Sequence, residues 1–310
     1  MKTILITGAG GFLGHHVCKV MSQHTDTRLL TPTRQQLDLM DYEEIKYYLH
    51  DYKPEIVVHL AAQCGGIGIN QNKPGEFLYN NMMMTTNLIE SCRWNERFVK
   101  KFVGVGTVCS YPKHTPVPFK EEDLYNGYPE ETNAPYGLAK RMQLEMLRAY
   151  RTQYGLNGIF LIPVNMIGEY DNFDDDSSHV VPAMLKKFHR AKLNGDKSVI
   201  LWGDGSASRE FLYAGDCAEA ILLATTLYDS PDPINIGTGT EITIKNLAEK
   251  VKRVVGFTGY IVWDTTKPNG QPRRCLDVSR ARERLGFEAR ADFDIVLKNT
   301  YEWAIRNNVL

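Results

Sequence analysis

Three features of this 310-residue sequence predict an α/β fold with a doubly wound, mainly parallel sheet. Short β-branched runs alternate with amphipathic helical stretches, a glycine-rich turn follows the first run, and the rhythm changes after Pro163. The runs at 3–7, 28–31, 56–60, 102–106 and 159–162 read as buried strands, and 12–23, 41–50, 75–96 and 134–154 read as the helices between them. Crossovers of this kind are right-handed and make the sheet parallel. The acid-rich stretch 168–178 has no apolar periodicity and reads as a long loop. Helical patterns return at 180–193, 214–228, 243–256 and 292–307, with strand-like runs at 198–201, 234–236 and 260–262. The segment 234–237 is expected to rejoin the main sheet.

The totals limit what such a fold can serve. Lys and Arg number 36 against 37 Asp and Glu, so no net field draws nucleic acid or an anionic membrane. The six cysteines, at 18, 64, 92, 109, 217 and 275, form no Cys-x-x-Cys pair, and no histidine cluster has metal-ligand spacing. Such usage predicts a reducing compartment and no metal. The apolar run at the start is too short for a signal peptide and is needed as the first strand. No stretch approaches the roughly 20 apolar residues of a membrane span. The expected location is the cytoplasm.

Gly8, Gly11 and Gly14 follow the first strand and open the first helix, the context that a dinucleotide's pyrophosphate requires. The first glycine permits a tight turn, the second lets backbone approach the phosphates, and the third lets helix and strand pack closely. This makes the sheet a Rossmann sheet. The expected division is a dinucleotide-binding domain, 1–165 and 215–237, and a smaller, interleaved C-terminal substrate lobe, 166–214 and 238–310. An NAD enzyme carries an acid near the end of the second strand, roughly 20 residues past the glycines. Here that segment reads Leu30-Thr-Pro-Thr-Arg34, with no acid and one guanidinium suited to a 2′-phosphate. NADP is therefore expected, with Asp38 bordering the adenine.

Tyr136 and Lys140 stand one helical turn apart at the start of a long helix. A lysine there favours the phenolate of a tyrosine that trades a proton with a carbonyl oxygen while hydride moves at carbon. Thr107, at the carboxyl end of the fourth strand, offers a hydroxyl to the same oxygen. Cys109, two residues on, is a potential further acid or base.

Together these residues resemble the extended short-chain dehydrogenase/reductases, and within them the GDP-L-fucose synthase family, nearly end to end. The most specific segments are Gly65-Gly-Ile-Gly-Ile-Asn70, Val108-Cys-Ser-Tyr-Pro112, Ser178-His-Val-Val-Pro182 and Trp202-Gly-Asp-Gly-Ser-Ala-Ser-Arg-Glu-Phe211. The resemblance implies C3/C5 epimerisation and NADPH-dependent C4 reduction of GDP-4-keto-6-deoxy-D-mannose. It implies that Cys109 and His179 exchange protons at C3 and C5, flanking a ketone that acidifies both positions. It further implies Phe12, Leu13, Leu39, Gly106, Pro163, Asn165 and Met166 as cofactor contacts, joined by Thr107, Lys140 and His179. Lys187, Trp202, Arg209 and Asn269 would hold the nucleotide sugar. Thr107 replaces a usual serine, Gly10 an arginine found in some members, Asn269 an aspartate, and Ile167 a tyrosine. These departures leave open a related GDP-4-keto sugar, a 3,6-dideoxy sugar or a 6-deoxy-heptose.

Rival readings fail on particular residues. A sugar-nucleotide 4,6-dehydratase needs an Asp-Glu pair after Thr107, where Val108 and Cys109 stand. A 4-epimerase retains NAD and needs neither Arg34 nor Cys109. A dinucleotide sensor on this scaffold commonly loses the tyrosine or lysine, and both are present. The helices at 75–96 and 134–154 carry apolar residues on more than one face, including Phe77, Met82, Met83, Leu88, Met142 and Met146, which predicts a homodimer.

Overall fold

The structure is a computed structural model describing residues 2–23, 26–267 and 269–310. In chain order its strands are β1 (Lys2–Thr7), β2 (Thr27–Leu30), β3 (Ile56–His59), β4 (Lys101–Val105), β5 (Gly158–Pro163) and β6 (Asn165–Ile167). They continue as β7 (Ser198–Trp202), β8 (Ser208–Tyr213), β9 (Ile234–Ile236), β10 (Glu241–Thr243) and β11 (Tyr260–Asp264). The helices begin with α1 (Phe12–Ser22), α2 (Tyr42–Tyr52), α3 (Ile67–Asn72), α4 (Pro74–Trp94) and α5 (Ala134–Tyr154). There follow α6 (Val180–Asn194), α7 (Ala214–Leu227), α8 (Ile244–Val255), α9 (Ser279–Leu285) and α10 (Phe293–Arg306).

The main sheet has the order β2-β1-β3-β4-β5-β9, every pair parallel. Strands β3, β4 and β5 are buried along their whole length, as a sheet covered by helices on both faces demands. The strand order reverses between β1 and β3, the point where ligands enter such sheets. Strand β9 is the expected return to the sheet: Leu161, Ile162 and Pro163 pair with Ile234, Asn235 and Ile236.

Two further sheets, β10-β8-β6 and β11-β7, belong to a second apolar cluster built on Phe188, Leu247, Val251, Leu297 and their neighbours. Helix α8 shows why it forms: Leu247, Ala248, Val251 and Val255 share one buried face. Glu210 on β8 ties this cluster to the larger one. Its fully buried carboxylate accepts from the backbone N–H groups of Thr238, Gly239 (2.8 Å) and Leu276 (2.7 Å). Burial pushes its pKa above the ordinary carboxylate range, and those hydrogen bonds pull the other way.

Every strand and helix expected from periodicity forms within two residues of the expected bounds. The short strands β6, β8 and β10 and the helices α3 and α9 were not expected. In β8 a charged pair, Arg209-Glu210, breaks the apolar pattern, because the buried acid is satisfied by backbone instead of water. Two dimer candidates are corrected: Phe77 and Leu88 are fully buried within the chain and leave no surplus for a partner. Ala281 and Leu285 of α9, expected in the smaller lobe, pack into the larger core. We propose the division into two lobes with α9 moved to the larger.

Candidate active site

One wall of the site is built from loops that leave the carboxyl ends of parallel strands. Gly8 follows β1, Arg34 follows β2, Ala61–Gln63 follow β3, Gly106–Cys109 follow β4 and Val164–Met166 follow β5. They border one cleft of about 1880 Å³, roughly twice the upper size of an ordinary single-ligand site (~300–1,000 Å³). It has room for two ligands in line. All the site residues predicted from sequence line it except Asn269. The Asn269 side-chain oxygen instead accepts from Asp204 N–H at 2.9 Å, so this residue shapes a neighbouring turn.

The glycine loop is built for close approach. Gly8 takes φ +73°, and a Cβ on Gly14 would lie 2.2 Å from the Gly8 carbonyl oxygen. At Gly10, by contrast, a Cβ would meet nothing within 4 Å, so that position admits a larger residue. At the far end Arg34 is exposed on the cleft rim and has no hydrogen-bond partner among the described residues. Asp38 caps Met40 N–H (3.0 Å), and Asn87 holds the carbonyls of Leu39 and Met40 at 3.2 and 3.1 Å, fixing the wall beside it. These features fit a dinucleotide whose 2′-phosphate reaches Arg34.

At the centre, α5 packs directly on the turn that carries the sulfur. A Cβ on Gly137 would stand 2.5 Å from the Cys109 carbonyl oxygen, so Tyr136 and Cys109 are locked side by side. The Ser110 hydroxyl donates to the Gly137 carbonyl (3.1 Å), and Arg141 Nε donates to that of Ser110 (2.6 Å). Thr107 Oγ1 accepts from Cys109 N–H at 3.2 Å, which leaves the threonine proton free for a ligand. Across the cleft, Gly66 N–H donates to the Ser177 carbonyl (3.0 Å), drawing the segment before α6 toward β3. His179 occupies the position just before α6 there, without a capping side-chain hydrogen bond, and Lys187 lies two helical turns along. The ammonium groups of Lys187 and Lys267 stand 6.0 and 5.6 Å from the Trp202 ring centroid.

Desolvation dominates the electrostatics. Burial pushes the Tyr136 phenol well above its ordinary range, and the thiols of Cys64 and Cys109 add to this. Burial also pushes Lys140 down to about 8. Burial and the two thiols, not the expected lowering by Lys140, set the direction for Tyr136. His179 opens onto the cleft yet is ringed by protein atoms, and that crowding lowers its imidazole. Arg209 is pushed down to about 10, first by burial and then by the like charge of Arg274. Neither the Tyr136 hydroxyl nor the Lys140 ammonium has a hydrogen-bond partner among the described residues, so both are left for a ligand.

A family model described as the NAD dependent epimerase/dehydratase family matches residues 4–237. The chain belongs to that family. A putative GDP-L-fucose synthase 2 of Arabidopsis thaliana is 39% identical over 306 residues, spanning 99% of this chain and 92% of its own. A GDP-6-OMe-4-keto-L-xylo-heptose reductase from C. jejuni superposes with a TM-score of 0.92 at 31% identity, covering 99% of this chain and 98% of that one. A GDP-L-fucose synthetase from Naegleria fowleri, bound to NADP, gives 0.90 at 28%, covering 99% and 95%.

The cleft of this epimerase/dehydratase chain is also lined by residues that were not expected, among them Cys64, Asn133, Gln271 and Arg274. Arg274 stands 165 positions from Cys109, in a stretch without periodicity, so nothing local marks it. Among the described residues no helix is long and apolar enough to cross a membrane, and no cluster of metal-ligating side chains occurs. The rim position of Arg34 yields a prediction. Arg34→Ala should raise KM for NADPH by on the order of ten- to a hundredfold and leave NADH kinetics unchanged. Equal effects on both cofactors in steady-state assays would remove Arg34 from the 2′-phosphate.

Proposed function

We propose that this chain is a bifunctional isomerase and oxidoreductase. It would invert C3 and C5 of GDP-4-keto-6-deoxy-D-mannose and reduce C4 with NADPH, giving GDP-L-fucose. The observation that carries the reading is one cleft shared by a Tyr136–Lys140 pair, a thiol at Cys109 and an imidazole at His179. The family relatives and the NADP-bound neighbour support both the sugar and the cofactor.

The chemistry follows from the ketone. Removing a proton from C3 or C5 leaves an enolate whose charge rests on the C4 oxygen, where the hydroxyls of Thr107 and Tyr136 can donate. Inversion needs one group to take a proton from one face and another to return one to the opposite face, a task divided between Cys109 and His179. Bound NADPH supplies the hydride that adds to C4. Tyr136, kept protonated by burial, then donates its proton to the C4 oxygen, and the adjacent Lys140 ammonium stabilises the phenolate left behind. Gly8, Gly11, Phe12, Leu13 and Gly14 would cradle the cofactor, with Pro163, Asn165 and Met166 beside its reactive end. Lys187, Trp202 and Arg209 would hold the GDP moiety. Similarity to the heptose reductase at a TM-score of 0.92 supports a second reading, a related GDP-4-keto-heptose on the same machinery.

The two half-reactions should separate by mutation. In Tyr136→Phe, reduction of C4 should fall by roughly 10²–10⁴-fold while proton exchange at C3 and C5 persists. In Cys109→Ser, exchange should fail first, and slow NADPH oxidation should remain on the uninverted ketone. Parallel loss of both activities in both variants, followed by NADPH absorbance and sugar NMR, would refute this division.

The reading extends to a cytoplasmic homodimer. Helices α4 and α5 pack on each other and keep Met82, Met83 and Met142 half-buried, with Tyr79, Trp94 and Tyr154 exposed nearby. Pairing these helices across a two-fold axis would cover that surface in a four-helix interface. Light scattering at micromolar concentration should give twice the 35.2 kDa of one chain, and a monomer would sink the arrangement.

A further inference from the structure

We propose that Arg274 is a positioning residue for Cys109: its guanidinium aims the sulfur and favours the thiolate form that proton abstraction from carbon requires. The proposal rests on the epimerase reading of Cys109.

The geometry is a fork with one prong to spare. Arg274 Nε and Nη2 both donate to Gln271 Oε1, at 3.1 and 3.0 Å, and Nη1 donates to Cys109 Sγ at 3.4 Å. Gln271 is itself tethered, since its Nε2 donates to the Lys113 carbonyl at 2.8 Å. The planar guanidinium therefore cannot swing away from the sulfur without breaking two other bonds, an arrangement that the point charge of a lysine cannot reproduce.

The charge balance points the same way. Arg274 is only 7% exposed, and among the described residues no carboxylate oxygen lies within 4.0 Å of it. Nearby Arg209, half-buried, carries a second positive charge and adds repulsion. Two acids act on Arg209: Glu130, which accepts from the Thr132 hydroxyl and from Asn133 Nδ2, and Glu241, which is engaged by Arg273 and the Ser208 hydroxyl. A buried cation held by a neutral amide oxygen lacks compensation. Among the described residues, the one side-chain atom bonded to Arg274 that can take up negative charge is Cys109 Sγ. An N–H donated by a cation is stronger to a thiolate than to a thiol, so the contact stabilises the unprotonated sulfur. A competing account gives Arg274 to the substrate's diphosphate alone, with the sulfur contact incidental.

The test reads the sulfur in the absence of sugar and cofactor. Alkylation by iodoacetamide is followed at each cysteine by peptide mass spectrometry, with Cys64, which bonds no guanidinium, as reference in the same cleft. Arg274→Gln should slow alkylation of Cys109 on the order of tenfold at neutral pH and leave Cys64 unchanged. Arg274→Lys should fall between, and the deficit should vanish at alkaline pH, which a mere change in access would not do. Should Arg274→Gln fail to fold, Gln271→Leu frees the fork while keeping the charge, and should also slow Cys109. Equal Cys109 rates in wild type and variants would overturn the assignment and leave the diphosphate account. Slowed alkylation with undiminished proton exchange at C3 and C5 would keep the Arg274–Cys109 pairing and overturn the epimerase reading beneath it.

Discussion

The parallel register of β1, β3, β4 and β5 is the constraint from which the cleft follows. Because these strands run the same way, the loops carrying the glycine turn, the Thr107–Cys109 turn and the Asn165–Met166 wall all emerge on one edge. The order reversal between β1 and β3 opens that edge. Helix α5 then packs so tightly on the Cys109 turn that only glycine fits at 137, which brings a phenol and a thiol from different elements to one wall. The smaller lobe closes the opposite wall through α6 and is held to the sheet by the buried carboxylate of Glu210.

Within that cleft burial opposes charge at nearly every functional group. The phenol of Tyr136 is pushed up, while Lys140, His179 and Arg209 are pushed down. For a carbonyl reductase this is the useful direction, because the tyrosine must hold its proton until the ketone oxygen develops charge. Arg209 and Arg274 stand there as cations without close carboxylate partners among the described residues. A diphosphate entering from one side and a thiolate from the other would both compensate them.

Much of this was legible in the sequence, for identifiable reasons. Periodicity exposed the long amphipathic helices and the fully apolar strands, and the spacing of Gly8, Gly11 and Gly14 fixed where the first helix begins. The Tyr136–Lys140 pair was visible because both residues lie on one helical turn. What escaped depends on contacts distant in sequence. The strand β8 hides behind Arg209-Glu210, whose acid is satisfied by backbone N–H groups of residues 238, 239 and 276. Arg274 meets Cys109 only through the fold, and Asn269 faces a turn instead of the ligand it was expected to touch. The proposed balance between Tyr136 and Lys140 also needed the structure, since burial and not the neighbouring charge sets it.

The central claim is that this chain does proton chemistry at carbon as well as C4 reduction. Turnover of GDP-4-keto-6-deoxy-D-mannose with NADPH in deuterated water, read by NMR of the product against an enzyme-free control, tests it directly. The account predicts deuterium at C3 and C5 and protium at C4. Product reduced at C4 with no enzyme-dependent deuterium at C3 or C5 would contradict it.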